Sequence, residues 1–281
     1  MALHQHSCGC QLFFLLAANV GVVVVCTLLV ARPAQAYAFK HRHANNGSAW
    51  LPATATWYGS ATGDGSDGGA CGYGKLVGTP YGKRISAVSP VLYRNGEGCG
   101  ACYQVKCAQG GAGGGGLCSR SGVRVVITDE CPGGYCAFGR THFDMSGSAF
   151  RRLAFPPSNA QALLNEGVIN VLYRRVPCHY RGRKIAFQVN DGATHFWFSV
   201  LIRYEADDGD LSAVELMEGQ THNWIEMKQL WGAYWCLNGG PLEAPFSIRI
   251  RTSMGSIVTA FNAIPSDWAP GKTYTSHVNF P

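Results

Sequence analysis

Beyond residue 37 the chain has no apolar run long enough to cross a bilayer. It also has no P-loop, no dinucleotide-binding fingerprint, no zincin helix and no calcium loop. Membrane-spanning proteins and the nucleotide, zinc and calcium enzymes defined by those motifs are excluded from the body of the chain. Dense Lys/Arg blocks are missing as well. The formal net charge of +6 is spread thinly, so no phosphate-binding stripe speaks for nucleic acid, and a weak positive charge suits an acidic polysaccharide matrix better, with a merely solvated surface as the stronger bland alternative. Cysteine is scarce in the second half, where only Cys236 follows Cys178, and glycine is far sparser there too.

What is present begins with Leu12 to Val30, almost all apolar, then Arg32, Pro33 and the small-x-small triplet Ala34, Gln35, Ala36 before Tyr37. The pattern predicts a secretory signal over residues 1–36 and a secreted protein. Histidines rather than Lys or Arg lead the run, which is long enough to span a bilayer, so an uncleaved anchor is the alternative. Asn46, Gly47, Ser48 forms a glycosylation sequon in a polar extension, 37–52. The signal takes Arg32 and no acidic residue with it, leaving 22 basic against 17 acidic side chains. About 245 residues remain, comfortable for two domains with a core each.

Of twelve cysteines, Cys8, Cys10 and Cys26 leave with the signal. Cys71, Cys99, Cys102, Cys107, Cys118, Cys131, Cys136 and Cys178 form an even set, read in an oxidising compartment as four disulfides in a first domain, with Cys236 a buried thiol. Cys99, Cys102, Cys107 and Cys118 could be drawn as a four-thiolate zinc site, and Cys99 to Tyr103 matches a local thiol-protease signature. Secretion favours disulfides over zinc, and the β character of this region disfavours the protease scaffold. No metal and no cofactor is expected.

Short alternating runs separated by Gly-rich turns (Ala53 to Tyr58, Ala101 to Lys106, Val123 to Thr128, Val168 to Arg174) predict a β-barrel over 53–180, with helical stretches at Phe150 to Leu153 and Asn159 to Asn165. Residues 176–183 read as a linker. Over 181–281, seven alternating runs (Lys184 to Asn190, His195 to Tyr204, Leu211 to Met217, Trp224 to Leu230, Ala233 to Leu237, Phe246 to Arg251, Ile257 to Phe261) predict an immunoglobulin-like β-sandwich. The fold class is therefore all-β with two domains.

The chemistry concentrates at His142, Phe143, Asp144. On a strand, His142 and Asp144 share a face while Phe143 enters the core. A carboxyl group beside an imidazole and shielded from water can keep its proton near neutrality, as protonation of a glycosidic oxygen requires. The bland alternative is a buried structural pair.

Five motifs in order, Thr56-Trp57-Tyr58-Gly59, Asp67 to Tyr73, Gly98 to Tyr103, Ile127-Thr128-Asp129 and His142-Phe143-Asp144, closely resemble the β-expansins of plant cell walls. The resemblance continues through Phe187 to Asp210, Trp231 to Trp235 and Pro245 to Arg251. It implies a six-stranded double-psi β-barrel, related to family 45 endoglucanases, followed by a β-sandwich carbohydrate-binding domain. It further implies a secreted, monomeric wall protein that binds arabinoxylan and cellulose and loosens walls without hydrolysis, so not an enzyme. Asp144 aligns with the acid of the related hydrolases, and Asp129 and His142 accompany it as vestigial acid-site residues. Where those hydrolases carry a catalytic Asp after the first aromatic motif, this chain has Gly59 and Ser60. By the family's pattern Cys71 pairs with Cys99, Cys102 with Cys178, Cys107 with Cys118 and Cys131 with Cys136; spacing alone leaves roughly a hundred connectivities.

The polysaccharide-binding residues implied are Thr56, Trp57, Tyr58 and Asp67 on the barrel and Trp197 and Trp231 on the sandwich. Trp224 and Trp235 are expected in the core. Strict alternation would put Trp231 and Trp235 on one face, a conflict that a turn at Gly232 would remove. For Asp67 and Asp129 a loop hydrogen bond is the bland alternative, weighing more on Asp67. Two rival functions remain: an endo-acting glycosidase with Asp144 as acid and Asp67 or Asp129 as base, and a two-domain lectin.

Overall fold

The computed structural model describes residues 49–281 apart from 66, 109–114, 120 and 220. The signal segment 1–36 and the sequon at Asn46 lie outside the described residues. All described residues belong to one compact unit.

Six strands close a barrel: β1 (Leu51–Tyr58), β2 (Ile85–Val88), β3 (Cys102–Cys107), β4 (Val123–Glu130), β5 (His142–Ser146) and β6 (Ile169–Arg175), in the order β1-β5-β2-β4-β3-β6. The β1–β5 and β2–β4 pairs are parallel and the others antiparallel. Short helices α1 (Pro90–Tyr93), α2 (Gly147–Phe150) and α3 (Ala160–Asn165) fill the connections. The helix expected at Phe150 to Leu153 is a single α-turn, α2, running into a 3-10 turn over Arg151–Leu153. Strand β2 was not visible in the sequence, since all four of its residues are buried and no alternation marks them. Ala55, Ile85, Val105, Ile127, Phe143, Met145 and Ile169 fill the interior.

The second half stacks two antiparallel sheets. A four-stranded sheet has the order β10-β9-β13-β14, from β9 (Leu211–Glu218), β10 (Trp224–Glu226), β13 (Phe246–Thr252) and β14 (Ile257–Ile264). A five-stranded sheet has the order β11-β12-β8-β7-β15, from β7 (Ala186–Val189), β8 (Trp197–Arg203), β11 (Lys228–Trp231), β12 (Tyr234–Asn238) and β15 (Thr273–Thr275). Phe187, Phe198, Val200, Val214, Phe246 and Ile248 pack between them. The run Trp224 to Leu230, expected as one strand, is two strands in different sheets. Met227 is buried at the crossover, its amide bonded to Val214 O, so the chain switches sheets where alternation alone reads straight through.

Barrel and sandwich are joined by several independent devices. The disulfides are Cys71–Cys99, Cys102–Cys178, Cys107–Cys118 and Cys131–Cys136. Cys99, Cys102, Cys107 and Cys118 are thus spoken for, which removes both the zinc set and a Cys102 nucleophile. Cys236 lies buried in β12 outside these pairs. Cys178, disulfide-bonded to β3, also exchanges backbone hydrogen bonds with Asp207 of the second half. Buried Asp210 accepts from Arg94 Nη2 at 2.8 Å through one oxygen and from Arg175 through the other, both arginines coming from the barrel half. Ser253 Oγ adds a third donor at 2.6 Å. Beside this triad, Tyr73, Tyr81, Tyr180 and Tyr204 pack ring against ring around Glu205, which is only 2 % exposed.

Candidate polysaccharide-binding site

Parallel pairing of β1 with β5 sets Thr54 opposite His142 and Thr56 opposite Asp144. Because side chains alternate, these four share one face and Phe143 is fully buried on the other. His142 is buried despite facing outward. Thr54 and Thr56 hold its ring, and Tyr135, from the loop closed by Cys131–Cys136, stacks on it at 6.1 Å while remaining 52 % exposed.

Thr54 Oγ1 lies 2.7 Å from His142 Nδ1, Thr56 Oγ1 lies 2.8 Å from Nε2, and Thr56 Oγ1 donates to Asp144 Oδ1 at 2.6 Å. Burial, aided by Arg140, pushes His142 down to about 4, so above that pH the ring is neutral. A hydroxyl has one proton to give. With Asp144 ionised, Thr56 donates to it and accepts from Nε2–H, and Nδ1 accepts from Thr54. With Asp144 protonated on Oδ1, every donor and acceptor reverses. The neutral imidazole fits either state, so the chain of hydrogen bonds follows the Asp144 proton. Burial raises Asp144, the Asp129 charge adds to the rise, and the Thr56 hydroxyl opposes it.

Asp129, at the end of β4, and Asp144 both register against Ala87 of β2, one on each side. Two inter-strand spacings separate their backbones, about 10 Å. Asp129 Oδ1 accepts from Ala70 N at 2.6 Å and Glu130 N at 2.8 Å. The weighting of the two acids is therefore reversed: Asp129 carries the loop hydrogen bonds, whereas Asp67 is exposed and makes none among the described residues.

The segment 70–72 that Asp129 holds then meets the sandwich. Tyr93 Oη donates to Ala70 O, and Ala233 N donates to Cys71 O at 3.0 Å. A Cβ on Gly72 would come within 2.8 Å of both the Trp231 and Tyr234 rings, and one on Gly232 would lie 2.5 Å from Ala70 O. Both glycines have positive φ, so a side chain at either is strained as well as crowded. The turn at Gly232 puts Trp231 outside, 44 % exposed, and Trp235 inside, 7 % exposed. The Trp231 and Tyr234 rings lie 4.9 Å apart, tilted by 33°. Tyr234 and Asn238 share a face of β12, and Trp197 pairs with Asn238. Trp197 therefore lies on the Trp231 face, about 13 Å along the strand direction.

Not every expected residue joins this strip. Trp57 occupies the opposite face of β1 from Thr56 and donates its indole N–H to Leu164 O next to the barrel core. Tyr58 shares the Thr56 side of β1 and closes over Gly65. Trp224, expected in the core, is half-exposed on β10 with the Arg249 guanidinium 4.4 Å above its ring; at an edge strand one face of the indole has only a cation to cover it. Tyr135 and Tyr234 were missed by sequence reasoning. A disulfide-closed loop beside His142, and the three-residue step from Trp231 across Gly232, were the available signals.

Comparison with known proteins is consistent across the chain. Residues 185–265 match the expansin C-terminal domain and residues 85–173 match a domain described as lytic transglycolase. Expansin-B16 of Oryza sativa subsp. japonica is 54 % identical over 82 % of this chain and 84 % of its own. Expansin-B3 of Arabidopsis thaliana is 49 % identical over 96 % of this chain and 98 % of its own. The chain belongs to the expansin-B family. This expansin also has the fold of the Clavibacter michiganensis expansin, at a TM-score of 0.62 and 22 % identity over 83 % of this chain and 99 % of the other. A mutant of that bacterial expansin has been solved in complex with cellohexaose.

Proposed function

We propose that this expansin is a secreted cell-wall loosening protein that binds matrix polysaccharide, arabinoxylan among them, and cellulose, and disrupts their noncovalent contacts without hydrolysis. The observation that carries the proposal is the bridge through residues 70–72, which links the Asp129/Asp144 face of the barrel to the Trp231/Tyr234 pair. A pyranose presents a face of C–H groups to an aromatic ring, so Trp197, Trp231 and Tyr234 would anchor a glucan while Thr56, Asp129 and Asp144 hydrogen-bond its hydroxyls. Asp67, on the exposed loop leading into the bridge, and Tyr58 would extend those contacts. The cellohexaose complex of the bacterial homologue supports a β-glucan as one ligand. The chain would act as a monomer, its signal removed and Asn46 glycosylated.

Trp231→Ala should weaken binding to cellulose by about tenfold, as removal of one exposed stacking ring does; a depletion assay on cellulose checks this. The functional test is creep of a heat-inactivated wall strip under constant load at acidic pH, with released sugars assayed in the same bath. Extension without sugar release is expected. Extension that tracks sugar release would overturn the proposal.

The glycosidase reading draws on one observation. Asp129 and Asp144 flank Ala87 at about 10 Å between backbones, near the roughly 6.5–9.5 Å carboxyl separation of inverting enzymes. Against it, Asp129 Oδ1 is already engaged by two backbone amides. The same sugar assay separates the two.

A further inference from the structure

An open cleft of about 750 Å³ lies at the barrel end where β1 and β5 finish and β2 begins, and none of its residues belongs to the strip described above. Lys83, Arg84, Arg151 and Arg152 line it, with Thr62, Ser148 and Pro157. No carboxylate lines it, and none of these four cations is in a salt bridge among the described residues. Arg124, on β4 beside β2, lies close enough to Arg84 that burial and the Arg84 charge together hold it below the usual arginine range. Five cations crowd here without a counter-charge, an arrangement that costs free energy until an anion arrives.

The walls are held in place. Ser148 Oγ and Lys83 Nζ both donate to Thr62 O, Ser148 N donates to Gly63 O, and Ser146 Oγ donates to Lys83 O. The guanidinium groups remain uncommitted, with planar forks suited to a carboxylate. Ala154, Pro157 and Ala160 add an apolar wall to the same cleft. Charge together with an apolar wall fits an anion carried on a sugar better than a bare inorganic ion.

We infer that this cleft binds the sugar carboxylates of an acidic polysaccharide. The choice of a sugar rests on the polysaccharide reading above, whereas the anion preference rests on the cleft alone. Two polymers present the same group, a polygalacturonate and a glucuronate-substituted xylan. An open cleft lets either pass through, and consecutive uronates would meet the Lys83/Arg84 and Arg151/Arg152 pairs.

The test is calorimetric titration of the full protein with an oligogalacturonide, a glucuronate-substituted xylo-oligosaccharide, a fully methyl-esterified oligogalacturonide and neutral cellohexaose. Binding of at least one uronate oligomer is expected, weakening steeply with salt, and absent for the methyl ester. The triple variant Arg84→Gln, Arg151→Gln, Arg152→Gln should lose at least tenfold in affinity, while the matching triple lysine variant keeps most of it. Failure of both uronate oligomers to bind, equal binding of the methyl ester, or a glutamine variant within twofold of wild type would overturn the inference. Cellohexaose binding by both triple variants reports that they are folded and that the aromatic strip works, so failure of the cleft is distinguishable from failure of the polysaccharide reading.

Discussion

Asp210→Ala is expected to destabilise the protein by about 3–5 kcal/mol. The carboxylate is fully buried and accepts from Arg94, Arg175 and Ser253. Burial would pull Arg175 down, but Asp210 overrides it and raises the guanidinium beyond its ordinary value. Removing the carboxylate leaves two cations facing one another between barrel and sandwich, with their desolvation no longer offset. Breaking one partner from such a set costs far more than an exposed ion pair contributes. The thermal midpoint should fall by about 10 °C or more, and binding to cellulose should weaken too, because the same junction sets Trp231 against the barrel. A midpoint within about 2 °C of wild type would show that the triad carries no such load. The control is Arg249→Ala: its pair with Glu215 on the four-stranded sheet keeps part of both side chains in water, and its loss should move the midpoint far less than the loss of Asp210 does.

The second large effect is a flat-topped dependence of stability on pH. Burial raises Glu205 from its ordinary 4.5 to about 8, Asp210 adds to the rise, and Arg203 and a backbone hydrogen bond oppose it. Between those values the unfolded chain releases the proton that the native state keeps. Stability from Glu205 is therefore fully present below 4.5 and is lost as pH rises to about 8. His142 acts in the opposite sense. Its folded value is about 4 against an ordinary 6.5, so its contribution is present above 6.5 and is lost as pH falls toward 4. The two slopes cancel from about 4.5 to 6.5, and stability declines outside that window, by about 2 kcal/mol between pH 6.5 and 8. Asp144, Asp208 and Glu130, all raised mainly by burial, add to the loss at the alkaline side of their own ordinary values. Glu205→Gln should remove the falling limb and leave stability rising with pH across the former plateau. Chemical unfolding at half-unit pH steps checks this; a variant with the wild-type profile would show that Glu205 ionises normally in the folded protein.

How much of this was legible in the sequence depended on the kind of signal. Period-two alternation of polar and apolar residues marked β1, β5 and most sandwich strands, and it separated Phe143 from His142 and Asp144. It failed at Ile85–Val88, central between β5 and β4 and buried throughout, and at Met227, where the chain changes sheets without a glycine or proline to mark it. Gly232 did announce its turn, and with it the divergence of Trp231 from Trp235. Contacts set by distant closure were invisible: nothing in the one-dimensional string says that Gly72 will sit under Trp231, or that Ala87 will be flanked by two acids. Whether an acidic side chain is tied up was equally hidden, since the amides that occupy Asp129 come from a loop 59 residues away and from its own neighbour.

The bridge through residues 70–72 has a mechanical meaning. Each step from Asp144 through Ala87, Asp129 and Gly72 to Trp231 is a strand register, an amide hydrogen bond or a glycine contact, so the protein offers a gauge of fixed length. A loose polysaccharide laid along it can conform. A chain seated in a crystalline or crowded surface can do so only by leaving some of its neighbours. On the loosening function proposed above, the work of separation would come from adhesion itself, supplied afresh each time the protein lets go and lands elsewhere, with no fuel or covalent step to repeat it.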